Sequence, residues 1–260
     1  MKRLHAMLLP IALLLGTPGA AGAADSGKIT VFAAASLREA FEAAAPAFTK
    51  KTGIAVTFNF GGSDTLAQQI LQGAPADVFA SANETQMKKV ADAGALAGSA
   101  ATFARNRLVG IVPASNPGKV ASIGDFARPG VKVVLAAATV PVGGYARAAF
   151  ARMNGKDGLP ADFAAAVEKN VVSNELDVKA VATKISLGEG DAGVVYSTDL
   201  TPSVASKVKT LAFPPGAAPE AAYPIAALKA APNADGAKAF VAFVLHDGQE
   251  YLKARGFISP

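Results

Sequence analysis

The chain has no cysteine and no tryptophan. Without cysteine there is no disulfide, no thiolate metal site, no cysteine nucleophile and no lipid-bearing N-terminal cysteine. Histidine is almost as scarce: only His5 and His246 occur. Two isolated histidines give no cluster for a transition metal and no base for a Ser-His triad. His246 falls near the end of a helical stretch, where an imidazole suits the negative end of the helix dipole. After the first residues no apolar run reaches the roughly 18 residues that a membrane span needs. Strong charge is missing too. The formal net charge is +5, and Lys2 and Arg3 supply two of those charges, leaving +3. No Lys/Arg-rich run accompanies it, so nucleic acid is not an expected partner. A mild positive balance gives weak help in attracting an anion.

What is present begins with an export signal. Lys2 and Arg3 precede a short apolar core, Leu8 to Leu15, and Ala21-Gly22-Ala23 has the A-x-A form of a cleavage site. Residues 1–24 therefore read as a secretory signal peptide. The expectation is a soluble exported protein, and export without disulfides or a lipid anchor suits a bacterial periplasm. The rest of the chain is long enough for two lobes of about 100 residues each.

Strands and helices alternate along that remainder. Ile29–Phe32 is a β-type run; Ala33, Ala34 and Ala35 follow; a helix then begins at Ser36 and ends before Gly53. Ser36 with Glu39 has capping-box spacing, and Pro46 is expected to kink the helix. The theme recurs at once: strand 54–60, Gly61-Gly62-Ser63, helix 64–72. A third strand (76–80) and helix (83–90) follow. A strand at 107–113 crosses into a second lobe, which carries strands at 131–135, 171–172, 192–196 and 208–213. Helices are expected there at 145–153, 161–169 and 178–187. A strand at 223–228 returns, and helices at 233–245 and 248–255 finish the chain. This is the pattern of parallel sheets covered by helices. The expected fold is α/β, two-lobed, each lobe a mostly parallel sheet flanked by helices, with two hinge crossings. Residues 25–107 plus 224–260 form lobe 1, and 108–223 form lobe 2.

A strand that runs into a helix start presents unpaired N–H groups and partial positive charge, a natural anion site. Ser36 and Ser63 add hydroxyls at two such junctions. Taken alone, Ser36 reads first as the cap of its own helix. Other motifs carry less. Gly188-Glu-Gly190-Asp-Ala-Gly193 fits G-x-G-x-x-G, but a helix precedes it and a strand follows, the reverse of a dinucleotide site; it reads as a helix cap and turn. Glu175 with Asp177, and Glu189 with Asp191, sit at turns and helix starts with nothing marking an acid/base pair. A hydrolase using Ser36 or Ser63 stays open as a reading of another class.

Five stretches together resemble the bacterial periplasmic molybdate-binding proteins of ABC transporters. They are Ile29–Leu37; Gly62–Ala67 with Gly73–Phe79; Val140–Gly143; Asp177–Lys179; and Gly193–Tyr196. The likeness spans essentially everything after the signal peptide. It implies the type II periplasmic binding protein fold, with an oxyanion held between the lobes and no cofactor. Carried over by position, the ligand groups are the hydroxyls of Ser36, Ser63 and Tyr196 and the backbone N–H groups of Val142 and Val178. The resemblance further implies molybdate, with tungstate, as ligand, a membrane permease of an ABC transporter as partner, a monomer, and no chemistry on the ligand. Val142 and Val178 stand where some relatives carry carboxylates that coordinate the metal directly, so molybdenum would be bound as its oxyanion. Sulfate or phosphate on the same fold is the nearest alternative. Asp64, beside Ser63, either pairs with its helix N-terminus or faces the cleft. Closure is expected as a hinge motion across Leu108–Val112 and Tyr223–Leu228.

Overall fold

The structure, a computed structural model, describes residues 27–260. The segment read as a signal peptide lies outside them. Four strands open the chain: β1 (Lys28–Ala34), β2 (Ala55–Gly61), β3 (Val78–Ala80) and β4 (Ala101–Asn106). Five more build a second sheet: β5 (Leu108–Pro113), β6 (Val133–Ala136), β7 (Val171–Glu175), β8 (Ala192–Tyr196) and β9 (Val208–Leu211). Strand β10 (Ala221–Ala227) then returns to the first.

The two sheets repeat one topology. The first has the order β2-β1-β3-β10-β4 and the second β7-β6-β8-β5-β9. In the first, β1 is parallel to β2 and β3, while β10 is antiparallel to β3 and β4. In the second, β6 is parallel to β7 and β8, while β5 is antiparallel to β8 and β9. Each sheet thus has one reversed strand, and it is the one entered directly from the other lobe. Helices α1 (Arg38–Thr52), α2 (Ser63–Leu71) and α3 (Glu84–Asp92) belong to the first lobe's opening run. The second lobe carries α4 (Pro141–Met153), α5 (Phe163–Lys169), α6 (Val178–Leu187) and the short α7 (Pro202–Ala205). The chain ends with α8 (Ala234–Leu245) and α9 (Gln249–Ala254).

Aromatic side chains fill both cores. Phe41, Phe48, Phe103 and Phe240 meet in the first lobe, with Phe41 against Phe240 edge-on at 5.7 Å between centroids. Phe126, Phe150 and Phe163 do the same in the second. Such rings bury roughly 150–250 Å² each.

Several local expectations shift. Strand β4 has a weak sequence signal, because Ala101-Thr-Phe-Ala-Arg-Asn carries one large apolar residue; that residue, Phe103, is fully buried. The strand at 107–113 is therefore the second of a pair, and the chain passes between sheets at Arg107 alone. The return strand starts at Ala221, and Ala221–Tyr223 already pair with β4 in the first sheet. The division expected after residue 223 falls inside β10, and the second passage between sheets is 212–220. The register shifts between Tyr223 and Pro224, where the proline cannot donate to the ladder. Helix α4 starts at Pro141, four residues early, because proline suits the first helical position. Helix α1 runs unbroken through Pro46.

Asp77 clamps the first lobe below this framework. It is 3 % exposed, and its carboxylate accepts from the N–H of Thr30 in β1 (2.6 Å) and of Asn233 at the start of α8 (2.7 Å). Asp77→Ala leaves a buried N–H, that of Asn233, and a half-buried one, that of Thr30, without this acceptor. It is expected to lower unfolding free energy by about 3 kcal/mol in urea titrations. A loss below about 1 kcal/mol would contradict the clamp.

Candidate functional site

The C-terminal ends of three parallel strands in each sheet, β1 to β3 and β6 to β8, face one another across the lobes. They line a small cavity between the lobes. After β1 come Ala34, Ala35 and Ser36; after β2, Gly61, Gly62 and Ser63; after β3, Ala82. From the second lobe, β6 leads to Val140, Pro141 and Val142, β7 to Asp177 and Val178, and β8 ends in Tyr196. In open α/β sheets this edge is where ligands bind. All five residues expected as ligand groups line the one cavity.

Each is placed by its local backbone. Ser36 is not the cap of α1, contrary to the capping-box expectation. It sits in a 3-10 turn, Ala35–Leu37; α1 begins at Arg38 with Leu37 as its N-cap and no side-chain cap bond. The Ser36 hydroxyl instead lies 2.9 Å from the phenol oxygen of Tyr223 in β10. Its expected capping partner Glu39 reaches across the cleft to Lys179. Ser63 is the first residue of α2, and its Oγ accepts from the N–H of Ala82 (3.0 Å). With one lone pair so occupied, its proton is free to point inward. Ala34 and Ala35 add no bulk, so backbone faces the cavity there.

The second lobe offers backbone donors. Val142 is the second residue of α4, and Val178 is the first of α6. N–H groups in a helix's first turn have no intrahelical acceptor. Asp177 caps α6 through Oδ1, which accepts from Lys179 (2.7 Å) and Ala180 (3.0 Å), the two donors beyond Val178. Gly143 makes the approach possible: a Cβ there would stand 2.1 Å from the Ala137 carbonyl oxygen. Tyr196 is 1 % exposed, and its hydroxyl is buried without a hydrogen-bond partner. Burial pushes its pKa well above the ordinary value, so it is a neutral donor.

The cavity is lined by no lysine, arginine or histidine. Four helix or turn starts and three hydroxyls border it. Such a set can hold a dianion by dipoles and charge-assisted hydrogen bonds alone. Among the described residues no group of three or more His, Asp or Glu could hold a metal ion. Neither serine meets a base, and His246 lies at the end of α8.

Contacts around the cavity join the lobes. Lys179 pairs across the cleft with Glu39 of α1 at 2.8 Å and, within its own lobe, with Asp199 at 3.2 Å. Thr139 donates to Asp64 Oδ2 (2.7 Å), and Gln86 donates to the Thr139 carbonyl (2.9 Å). Asp64 thus heads α2 and bonds across the cleft, and it does not line the cavity. Residue-pattern reading missed Tyr223, Asn106 and Ala82. A tyrosine inside an apolar strand is one available signal, because a buried phenol needs a partner.

With this geometry in place, the class is defined: a two-lobed solute-binding protein with its cavity between the lobes. The chain belongs to the bacterial extracellular solute-binding protein family, whose profile matches residues 29–258. Among curated relatives, the molybdate-binding protein ModA of Mycobacterium bovis is 42 % identical over 234 residues, covering 89 % of this chain and 85 % of that one. ModA of Escherichia coli is 34 % identical over 90 % of each chain. Among solved structures, the periplasmic molybdate-binding protein of Azotobacter vinelandii superposes with a TM-score of 0.74 at 24 % identity, over 89 % of this chain and 99 % of that one. The sulfate-binding protein SubI of Mycobacterium tuberculosis gives 0.75 at 18 %, over 89 % and 86 %. Both of these likenesses concern the fold.

Asp199 makes the site's surroundings pH-sensitive. It is fully buried, and burial raises its pKa from 3.8 to about 6 against the lowering effects of Lys179 and the Tyr196 N–H. The folded state then holds this proton more tightly than the unfolded chain. Between about pH 4 and pH 6 it binds more protons, so this group's contribution to stability falls as pH rises through that window. Asp199→Asn is expected to remove a fall on the order of 2–3 kcal/mol, read from urea unfolding across the same range. A pH dependence identical to that of the unaltered protein would contradict the assignment.

Proposed function

We infer that this protein is a receptor for molybdate, and for tungstate as its tetrahedral counterpart. It captures the anion in the periplasm and delivers it to the permease of an ABC importer. The observation that carries the reading is the cavity between the lobes. It gathers Ser36, Ser63, Val142, Val178 and Tyr196 and is lined by no cationic side chain. The identity to the two ModA proteins, over nearly the whole of each, supports molybdate as the solute.

In this reading the three hydroxyls and the N–H groups of Val142 and Val178 hold the four oxygens of the anion, and the metal has no protein ligand. The first lobe binds through Ser36 and Ser63, and the second closes over with Val142, Val178 and Tyr196. Glu39–Lys179 and Thr139–Asp64 then join the lobes beside the anion. Residues 1–24 act as the cleaved signal, the receptor works as a monomer, and no cofactor takes part. The passages at Arg107 and 212–220 are the hinge.

Titration calorimetry with molybdate, tungstate, sulfate and phosphate tests the solute. Molybdate and tungstate are expected to bind at micromolar or lower dissociation constants and phosphate far more weakly. Phosphate binding in that range, with none of molybdate, overturns the reading. Ser36→Ala is expected to weaken molybdate binding by roughly 1.5–3 kcal/mol, the range for a hydrogen bond to a charged group. An unchanged dissociation constant would remove Ser36 from the site. The absence of tryptophan rules out indole emission as a probe of closure, so small-angle scattering has to follow it.

A further inference from the structure

Ser36 Oγ has one close protein partner, the phenol oxygen of Tyr223, and that phenol has a second partner, Asn106. The Tyr223 ring is fully buried; its oxygen lies 2.9 Å from Ser36 Oγ and receives Asn106 Nδ2–H at 3.3 Å. Asn106 is also fully buried and ends β4, immediately before the passage between lobes. Its amide can face only one way. The N–H of Arg107, which can only donate, lies 2.9 Å from Oδ1, and Ser197 Oγ donates to the same oxygen at 3.2 Å. Nδ2 must therefore face Tyr223, and also Thr198 Oγ1 at 2.8 Å. An amide NH₂ donates and cannot accept.

We propose that Asn106 and Tyr223 are positioning residues that set the direction of the Ser36 hydroxyl, and through it the selectivity of the site for anions that carry no proton. The Asn106 amide occupies an acceptor position on the Tyr223 oxygen. The Tyr196 ring lies against that of Tyr223, but its hydroxyl makes no hydrogen bond, so the phenol proton goes to Ser36 Oγ at 2.9 Å. Ser36 then accepts from inside the protein and turns its own proton toward the cavity. Ser63 is polarised the same way by the Ala82 N–H, and Tyr196 has no internal partner to divert its proton. Three hydroxyls that could each accept or donate become donors. A bare tetrahedral oxyanion satisfies them all. An anion bearing a hydroxyl, such as hydrogen phosphate, brings a proton that finds no acceptor among these three hydroxyls, and Oδ1 of the neighbouring Asp177 is already taken by the N–H groups of Lys179 and Ala180; a buried donor without a partner is costly. The chain of bonds starts at a backbone N–H in the passage between lobes, so hinge geometry and solute choice share one residue.

This proposal deepens the molybdate reading, and its test separates the two. Binding of molybdate, sulfate and phosphate is measured by calorimetry in mildly alkaline buffer, where all three are dianions and any change in site charge cancels in their ratios. In Tyr223→Phe the preference for molybdate over hydrogen phosphate is expected to fall by about tenfold or more, the scale of one lost hydrogen-bond penalty. Asn106→Asp places an acceptor behind the phenol, draws its proton away from Ser36, and is expected to lower the same ratio at least as far. Ratios within about twofold of the unaltered protein in both variants overturn the proposal, even if all affinities drop together, because that is the mark of a merely structural role. If the unaltered protein ignores molybdate but binds sulfate, the solute reading falls, and the sulfate-to-phosphate ratio tests the relay in the same way. Preference of the unaltered protein for phosphate over both other anions overturns the relay as well. Proton NMR of the ligand-free protein is a further arm that needs no anion. The slowly exchanging Tyr223 hydroxyl proton is expected to show a cross peak to the Ser36 β protons, with Tyr223→Phe assigning it. A phenol proton directed away from Ser36 refutes the relay.

Discussion

Unpaired hydrogen-bond donors at the edge of two sheets are the constraint on which the molecule depends. A helix's first turn cannot satisfy its own N–H groups. In an ordinary interior a side chain or water takes them up. Here the starts of α2, α4 and α6 and the turn at Ser36 bring such groups to one cavity, and the residues around it are alanine, glycine, proline and valine apart from the serines, Asp177 and Tyr196. In the proposed reading the site is an incomplete hydrogen-bond network that an anion completes. No formal positive charge is required, because the dipoles are fixed in place by the strands behind them.

That constraint explains the duplicated architecture. One sheet delivers donors from one side only, and a small tetrahedral ion needs them all round. Two sheets of the same topology, each with one reversed strand, set their carboxyl edges face to face. The links between them must be short to keep the faces aligned and few to let them part. One is the single residue Arg107, and the other is 212–220. The contacts that bridge the cleft, Lys179 with Glu39 and Thr139 with Asp64, lie beside the cavity and form only when the lobes meet. Asp199 adds a buried carboxylate to the same Lys179, so the closed arrangement carries an electrostatic cost that Lys179 offsets. Truncating either partner of such a group is more damaging than the pair's net worth suggests.

Much of this was legible from residue order. The alternation of strand and helix placed most elements within a few residues, because amphipathic periodicity and Gly/Pro punctuation are local properties. The repeated junctions at Ser36 and Ser63 pointed to an anion for the same reason. Strand β4 has little local signal, since its burial rests on one phenylalanine and on pairing with the distant β10, where Ala101 meets Ile225 and Asn106 meets Ala221. The start of α4 was set four residues late because glycines next to a proline resemble a loop until the close approach of Gly143 to the β6 carbonyls is visible.

By itself the sequence determined what is chemically possible: no thiol, no histidine cluster, donors at helix starts, and a family likeness that named the positions to watch. Tertiary structure alone decided what each group does with its proton. Ser36 has the spacing of a helix cap, and nothing near it in the chain says otherwise. Its actual partner, Tyr223, lies 187 residues on and reaches it only because β10 returns to the first sheet. Asp64 likewise bonds to Thr139 of the other lobe. Caps and periodicity are written within a few residues, whereas hydrogen-bond direction between distant strands depends on a register that only the folded sheet supplies.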